Sequence, residues 1–424
     1  MRISYLSRDD FPKNKSEIAS DVAAGLTVAI VALPLAIGFA VTTGMSAASG
    51  ITTAIIAGFV AALFGGSRYQ VSGPTGAMTV VLIPIVTKYG PGAIPALGLM
   101  AGSLVVIAAV FRAGSIINRV PWAVVEGFTV GIALVIALQQ IPLALDFPKG
   151  SGDRTYIVAW HTWQGAFSAG LNWKSIGAVI FTLLIKFNYP KLAHRYHFKF
   201  HIPASIIAIG LTTVASVGFH LKLHTIGDIP RSIGQWSGNL IDLTAVEHLI
   251  LPAVLIALLA AIESLLSARV ADGMVHAHGI EKYSPNKELV GQGLATIAAS
   301  LFGGMPATGA IARTSVNVRN QAKTRFAAMV HSFILLLIVL LFAPLVSSIP
   351  TAAIAGVLIG TSYRILNPAS IRESLKTTFA EASVLIITAA VTLLVDLIWG
   401  IGIGIVAHFV AKLFSKYLKQ GKIS

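Results

Sequence analysis

LFGGMPATGAIARTSVNVR, residues 301–319, interrupts a chain that is otherwise close to uniformly apolar. Glycine, proline, threonine, serine, asparagine and two arginines crowd into it, a composition that breaks regular structure and brings polar groups with it. A second copy, LFGGSRYQVSGPTGAMTVV, begins at Leu63. The two share LFGG followed a few residues later by Pro, Thr, Gly and Ala. They stand a little more than half the chain apart, so whatever this motif builds is built twice.

The setting is a membrane. Of the 424 residues 55% are hydrophobic and only 11% charged, where a soluble domain carries about a quarter charged residues. Mean hydropathy is +0.80, and many apolar runs approach the roughly 20 residues that cross a bilayer. The chain reads as one integral membrane domain over residues 1–424. Asp21 to Val41 is long for a signal peptide and lacks a small-residue exit, so it reads as a retained first span. The absence of cysteine excludes disulfides, thiol catalysis and thiolate metal sites.

The formal net charge of +14 has a membrane explanation. The apolar runs count to fourteen spans. With the N-terminus cytoplasmic, the even-numbered connections and both tails hold every lysine and arginine except Lys88, Lys149, Arg154, Lys174, Lys222 and Arg231. That asymmetry obeys the positive-inside rule and predicts a cell-membrane protein with both termini in the cytoplasm. Nucleic acid is excluded as a partner, since no basic block is long and none interleaves with aromatic residues.

Fourteen spans divide into seven and seven, and the two LFGG motifs lead into the third (about 74–88) and the tenth (about 308–318). An odd number of spans per repeat turns the second copy upside down, the inverted-repeat plan of secondary transporters. Repeat one covers about 15–218 and repeat two about 245–418. Spans 3 and 10 are short, which predicts half-helices starting near the membrane midplane, with irregular backbone tolerated only where protein or a polar cavity surrounds it. Pro74 and Pro306 break and restart the chain. Thr75 and Thr308 then stand as hydroxyl residues at helix starts, beside backbone N–H groups that lack intrahelical partners. Two such N-termini meeting in a dry medium favour an anion, and Arg313, about one turn into span 10, adds a full positive charge.

Glu263 lies about two-thirds along span 8, with Ser267 one turn away on the same face. A carboxylate at that depth is costly unless paired, protonated or bound to a cation. Glu263 therefore either carries a proton or, with Ser267 and backbone carbonyls, ligates sodium. Glu126 and Asp396 lie nearer the interfaces and read as structural contacts. Asp146 to Lys174 reads as an external loop whose Tyr156, Trp160 and Trp163 are interfacial anchors. His161, His194, His197 and His201 show no metal-ligand spacing backed by carboxylates, so no metal is assigned to them.

These residues resemble the sulfate permease (SulP) anion transporters along essentially the whole chain. DVAAGLTVAIVALPLAIGFA is similar to that family's first span, SGPTGAM and GGMPATGAIARTSVN to its third and tenth, IPTAAIAGVLI to its twelfth, and VDLIWGIGIGI to its last pair. The resemblance implies an all-α polytopic fold of fourteen spans in seven-plus-seven inverted repeats. It further implies a core domain (spans 1–4 and 8–11), a gate domain (5–7 and 12–14) and elevator-type movement of the core. It matches Thr75, Gly76 and Ala77, with Thr308, Gly309 and Ala310, to the anion cradle. Phe39 matches an aromatic lining position and Arg313 the arginine of span 10. Glu263 and Ser267 match positions where a sodium-coupled bicarbonate carrier is expected to have Asp and Thr, and the change to Glu tilts the coupling ion towards the proton. Most members continue into a cytoplasmic STAS domain, whereas this sequence runs to Ser424 without one, and family dimers often meet through the gate and STAS parts.

The reading is a secondary active transporter of a small inorganic anion, sulfate or bicarbonate, with small carboxylates as further substrates. It is a proton- or sodium-coupled symporter, lies in membrane lipid, pairs as a homodimer, and needs no cofactor. An uncoupled anion channel or exchanger would not need Glu263. A nucleobase symporter of the same architecture would want acidic or amide side chains where hydroxyls and an arginine stand. An enzyme would need a nucleophile–base pair or metal constellation that the sequence lacks.

Overall fold

A computed structural model of the chain describes residues 8–117, 120–196, 203–229, 234, 236, 246–275, 283–366, 368–395 and 397–420. It is almost wholly helical. In chain order the helices are α1 (Lys15–Thr43), α2 (Ala47–Phe64), α3 (Gly76–Tyr89), α4 (Ile94–Val110), α5 (Ala113–Ile117) and α6 (Trp122–Gln139). There follow α7 (Ile141–Leu145), α8 (Thr155–Ala169), α9 (Trp173–Arg195), α10 (Ala204–Gly218), α11 (Val246–Met274) and α12 (Pro285–Leu301). The last six are α13 (Ile311–Arg319), α14 (Phe326–Ser347), α15 (Thr351–Leu366), α16 (Pro368–Ser374), α17 (Phe379–Leu394) and α18 (Leu397–Gln420). Seven stretches of the described chain are long and apolar enough to cross a membrane, and four further apolar helices are shorter.

The helix ends follow local chemistry. Asn14 caps α1 by accepting from the Glu17 N–H at 2.9 Å, and Glu17 reaches back to the Lys13 N–H at 2.7 Å. That reciprocal arrangement satisfies two N–H groups at the helix start. Gly44 ends the helix in the left-handed region, φ 89°, where a side chain would be strained. Ser46 caps α2 in the same way as Asn14 caps α1.

The chain divides into two compact units, Met1–Asn118 with Lys174–Val357, and Arg119–Trp173 with Leu358–Ser424. In the first, α12 packs against α2 and α4, α1 against α2 and α14, and α11 against α4, α13 and α3. The α4–α12 contact is close because glycines face each other: a Cβ on Gly102 would meet the Gly293 carbonyl, and one on Gly293 the Gly102 carbonyl. Such small-residue contacts let membrane helices approach backbone to backbone. In the second unit α6 lies along α17, and α17 along α18. Gly127 and Gly131 of α6 have no room for a Cβ beside Leu385, Thr388 and Thr392.

Two sequence expectations change. The segment from Asp146 to Lys174 is not simply a loop, because α8 forms within it, with Trp160 and Trp163 exposed. Lys186 and Arg325, counted among the cations of the cytoplasmic connections, are buried side chains. Lys186 Nζ donates to the Val357 carbonyl (2.7 Å) and the Ser205 hydroxyl (3.2 Å). Arg325 pairs with Asp10 at 2.9 Å and donates to the carbonyls of Ala62, Leu63 and Gly65 at the end of α2. The all-α expectation holds, the extended segments preceding α3 and α13 adding only a two-residue strand pair.

Candidate functional site

Both breaks in the sequence are breaks in the structure. Ser72–Gly73 (β1) and Thr308–Gly309 (β2) run antiparallel, with Ser72 opposite Gly309 and Gly73 opposite Thr308. One further bond, Ala310 N–H to the Val71 carbonyl at 2.9 Å, extends the ladder. Two residues per strand would not hold together in water. Here they are buried, and pairing is how their backbone polar groups are satisfied away from solvent. The pair sets the starts of α3 and α13 side by side.

The two starts differ in detail. Thr75 is the N-cap of α3, its hydroxyl facing the Met78 N–H at 3.5 Å. Thr308 is not a cap. The cap of α13 is Ala310, two residues on, and it has no side-chain bond; Thr308 belongs to β2. The hydroxyls nonetheless converge, 3.4 Å apart, because Gly73 and Thr308 are partners in the ladder.

Glu263 comes between them. Its Oε2 accepts from Thr308 Oγ1 at 2.7 Å and from Thr75 Oγ1 at 2.9 Å. The carboxylate thus sits on the hydroxyls themselves and not at a distance from them. It is the buried acidic side chain of α11. Its neighbour Ser264 accepts from the Gly309 N–H at 3.0 Å, and Ser267 donates to Thr314 Oγ1 at 3.1 Å. Thr314 in turn accepts from the Val71 N–H at 3.1 Å. One face of α11 therefore fastens β1, β2 and α13 together.

The sequence-derived residues fall out as follows. Thr75, Thr308 and Glu263 are brought into direct contact. The N–H groups of Gly309 and Ala310 are used by Ser264 and Val71. On the α13 side the first-turn amides of Ile311, Ala312 and Arg313 remain, as those of Gly76 and Ala77 do on the α3 side. Arg313 is 1% exposed and donates through Nη2 to the Pro74 carbonyl at 2.9 Å. A Cβ on Gly73 would collide with its Nη1, which has no acceptor among the described residues. Ser267 is held by Thr314 one turn from Glu263. Phe39 is buried on α1, which packs against both α3 and α13. Exposure at the site lies on the half-buried Ile311 and Ala312 and, slightly, on Phe39 (7%), Thr75 (5%), Glu263 (8%) and Ala310 (8%), while Ser264, Ser267 and Thr308 have none. Those six mark its open side.

Sequence reasoning missed Glu288 of α12. It is buried, with Oε2 accepting from the N–H groups of Gly66 and Ser67 at 2.8 Å each. Its Oε1 accepts from Gln70 Nε2 at 2.6 Å and Gln292 Nε2 at 2.9 Å. The available signal was a polar pair, Glu288 and Gln292, one turn apart where a polar helix start runs into an apolar span. Of the lesser acidic candidates, Glu126 accepts from Ser374 at 2.5 Å, a contact between helices. Asp396 lies outside the described residues, as do His197 and His201. His161 bonds the Ser151 carbonyl through Nδ1.

Comparison with known proteins agrees with this architecture. The profile of the Sulfate permease family matches residues 18–388. The chain is 35% identical over 405 residues to the putative sulfate transporter YvdB of Bacillus subtilis, covering 94% of this chain and 74% of that one. It is 29% identical over 405 residues to the bicarbonate transporter BicA of Picosynechococcus, covering 92% and 69%. The transmembrane domain of a cyanobacterial bicarbonate transporter BicA superposes with a TM-score of 0.80 at 23% identity, covering 93% of this chain and 98% of that one. These relatives are transporters and not enzymes. By sequence and by fold, the chain belongs to the sulfate permease family of membrane transporters.

Proposed function

We propose that the chain is a cation-coupled symporter of a small inorganic anion, sulfate or bicarbonate, working by an elevator movement in the cell membrane. In this reading fourteen spans form two inverted repeats, about 15–218 and 245–418, with both termini cytoplasmic. The helices α3 and α13 are half-helices starting near the membrane midplane. The anion is held between their N-termini by the hydroxyls of Thr75 and Thr308, the amides of Gly76, Ala77 and the first turn of α13, and the field of Arg313, with Phe39 lining the open side. Relatives named for sulfate and for bicarbonate transport support the substrate class.

One observation carries the coupling: Glu263 accepts hydrogen bonds from both Thr75 and Thr308. A hydroxyl has one proton to donate. While a bare carboxylate holds both, neither is available to an incoming anion, and two anions a few ångströms apart in a dry site repel. A proton on Glu263 eases both obstacles, because the neutral carboxyl is a weaker acceptor and carries an O–H donor of its own; sodium, with Ser267 near, removes the repulsion. Anion and cation then favour each other's binding to the same degree.

The test is uptake into proteoliposomes of labelled sulfate, bicarbonate and fumarate, with proton and sodium gradients imposed separately. The reading requires one of these anions to accumulate uphill when one of the gradients is inward. Equal uptake with and without both gradients would make the protein an uncoupled channel or exchanger.

A further inference from the structure

We infer that Glu288, acting through the amides of Gln70 and Gln292, is the positioning centre that sets the gap between the two halves of the anion seat. This rests on the reading of the Thr75–Thr308 cradle as the place where the anion binds. The four donors on Glu288 do not belong to one element. Two are backbone N–H groups of the turn after the first LFGG, Gly66 and Ser67. The third is Gln292, one turn along α12, whose Nε2 also donates to Ser72 Oγ at 2.5 Å. The fourth is Gln70, from the extended run into β1.

These contacts reach both strands. Ser72 is in β1. Gln70 lies directly beneath β2: the three atoms nearest to a Cβ built on Gly309 are Nε2, Cδ and Oε1 of the Gln70 amide. Gln70 is itself buried, and moving it to make room would break its bond to Glu288. Ser72 and Gly309 are partners across the ladder, so one carboxylate reaches the pair twice, through the Gln292 hydrogen bond to Ser72 and through the Gln70 amide packed against Gly309. The ladder register is what brings Thr75 and Thr308 to 3.4 Å. Four donors saturate the four lone-pair directions of a carboxylate, so Glu288 is built to hold backbone and not to bind cargo. It touches neither Glu263 nor the threonine hydroxyls. Its role is that of a positioning residue.

The complementarity of Gln70 and Gly309 gives the test. Apparent KM and Vmax for labelled sulfate and bicarbonate are measured in proteoliposomes for Gly309→Ala, Gln70→Ala, the double variant and Thr308→Val, each checked for monodispersity and melting temperature. Gly309→Ala alone should raise KM at least about tenfold, and Gln70→Ala by a smaller factor. In the double variant the added methyl has its space, so KM should fall back to that of Gln70→Ala alone, a coupling of about tenfold between the sites. A generic loss of stability would instead multiply the two effects. If Thr308→Val weakens the anion while Gln70 and Gly309 act independently, the positioning role is wrong and the seat stands. If Thr308→Val leaves KM untouched, the seat lies elsewhere and the positioning role falls with it.

Discussion

The two LFGG turns share a motif but are fastened by different chemistry. The first, 63–66, is gripped by a carboxylate: Glu288 accepts from Gly66 and Ser67, and Arg325 donates to the carbonyls of Ala62, Leu63 and Gly65. The second, 301–304, has hydroxyls in the corresponding role. Thr53 of α2 accepts from the Met305 N–H at 2.8 Å, and Thr296 bonds both the carbonyl and the N–H of Ala307, at 3.2 and 3.4 Å. The first turn is clasped from the other half of the chain, whereas the second draws Thr53 from the other half and Thr296 from the helix that leads into it. The difference teaches that the repeated motif supplies only the backbone break. What differs between the arms is the side chain that fastens each, a carboxylate with an arginine at the first and hydroxyls at the second. The charge also crosses over, since Arg313 of the second arm bonds the Pro74 carbonyl of the first.

The sharpest way to break the comparison is at the second arm's closest approach. Gly309→Leu puts a large side chain where the Gln70 amide lies. Uptake of labelled anion should vanish while the purified protein stays monodisperse, and normal uptake would move the anion site elsewhere. Next in size is the carboxylate clasp. Glu288→Ala removes the acceptor shared by Gly66, Ser67, Gln70 and Gln292, and each buried donor left unsatisfied costs about 1–3 kcal/mol. The melting temperature in detergent should drop steeply, by a loss on the order of 3 kcal/mol or more, and a shift within error would show that the first turn holds itself.

Arg313→Ala removes a link between the arms and a positive charge from the site. Apparent anion affinity should weaken about tenfold, a loss of roughly 1.4 kcal/mol, with expression less affected. Unchanged affinity would make it a purely structural cross-link. The smallest effect should come from the hydroxyl clasp. Thr53→Val removes a hydroxyl that accepts from the Met305 N–H and donates to the Ser49 carbonyl, neutral bonds worth about 1 kcal/mol each. If it destabilises as much as Glu288→Ala, the two arms are not distinguished by their clasps.

Much of this was legible in the sequence because the signals are local. Gly and Pro in an apolar chain mark a break; Thr75 one residue after Pro74 marks a cap; a lone Glu263 in an apolar helix marks a buried carboxylate with a task. Position along the chain also showed that the break occurs twice. What was not legible depends on wrapping. Glu288 opens α12 beside Asn286 and Lys287 and looks like an interfacial polar end. Its partners Gly66, Ser67 and Gln70 lie in the other half of the chain, and nothing near residue 288 announces them. Thr308 looked like a second Thr75, but the extended run is longer before α13, and the helix starts only at Ile311. Arg325 and Lys186 counted as loop charges because charge patterning records sign and order, not burial.

Coupling rests on Glu263, whose carboxylate occupies the hydroxyls assigned to the anion. The measurement is anion transport by Glu263→Gln in proteoliposomes, scored once as exchange of labelled for unlabelled anion and once as uphill uptake under an imposed gradient. A permanently neutral side chain leaves the seat competent and unresponsive to the driving ion. Exchange should survive and gradient-driven accumulation should disappear. Accumulation persisting in Glu263→Gln would contradict the account and remove Glu263 from the coupling step.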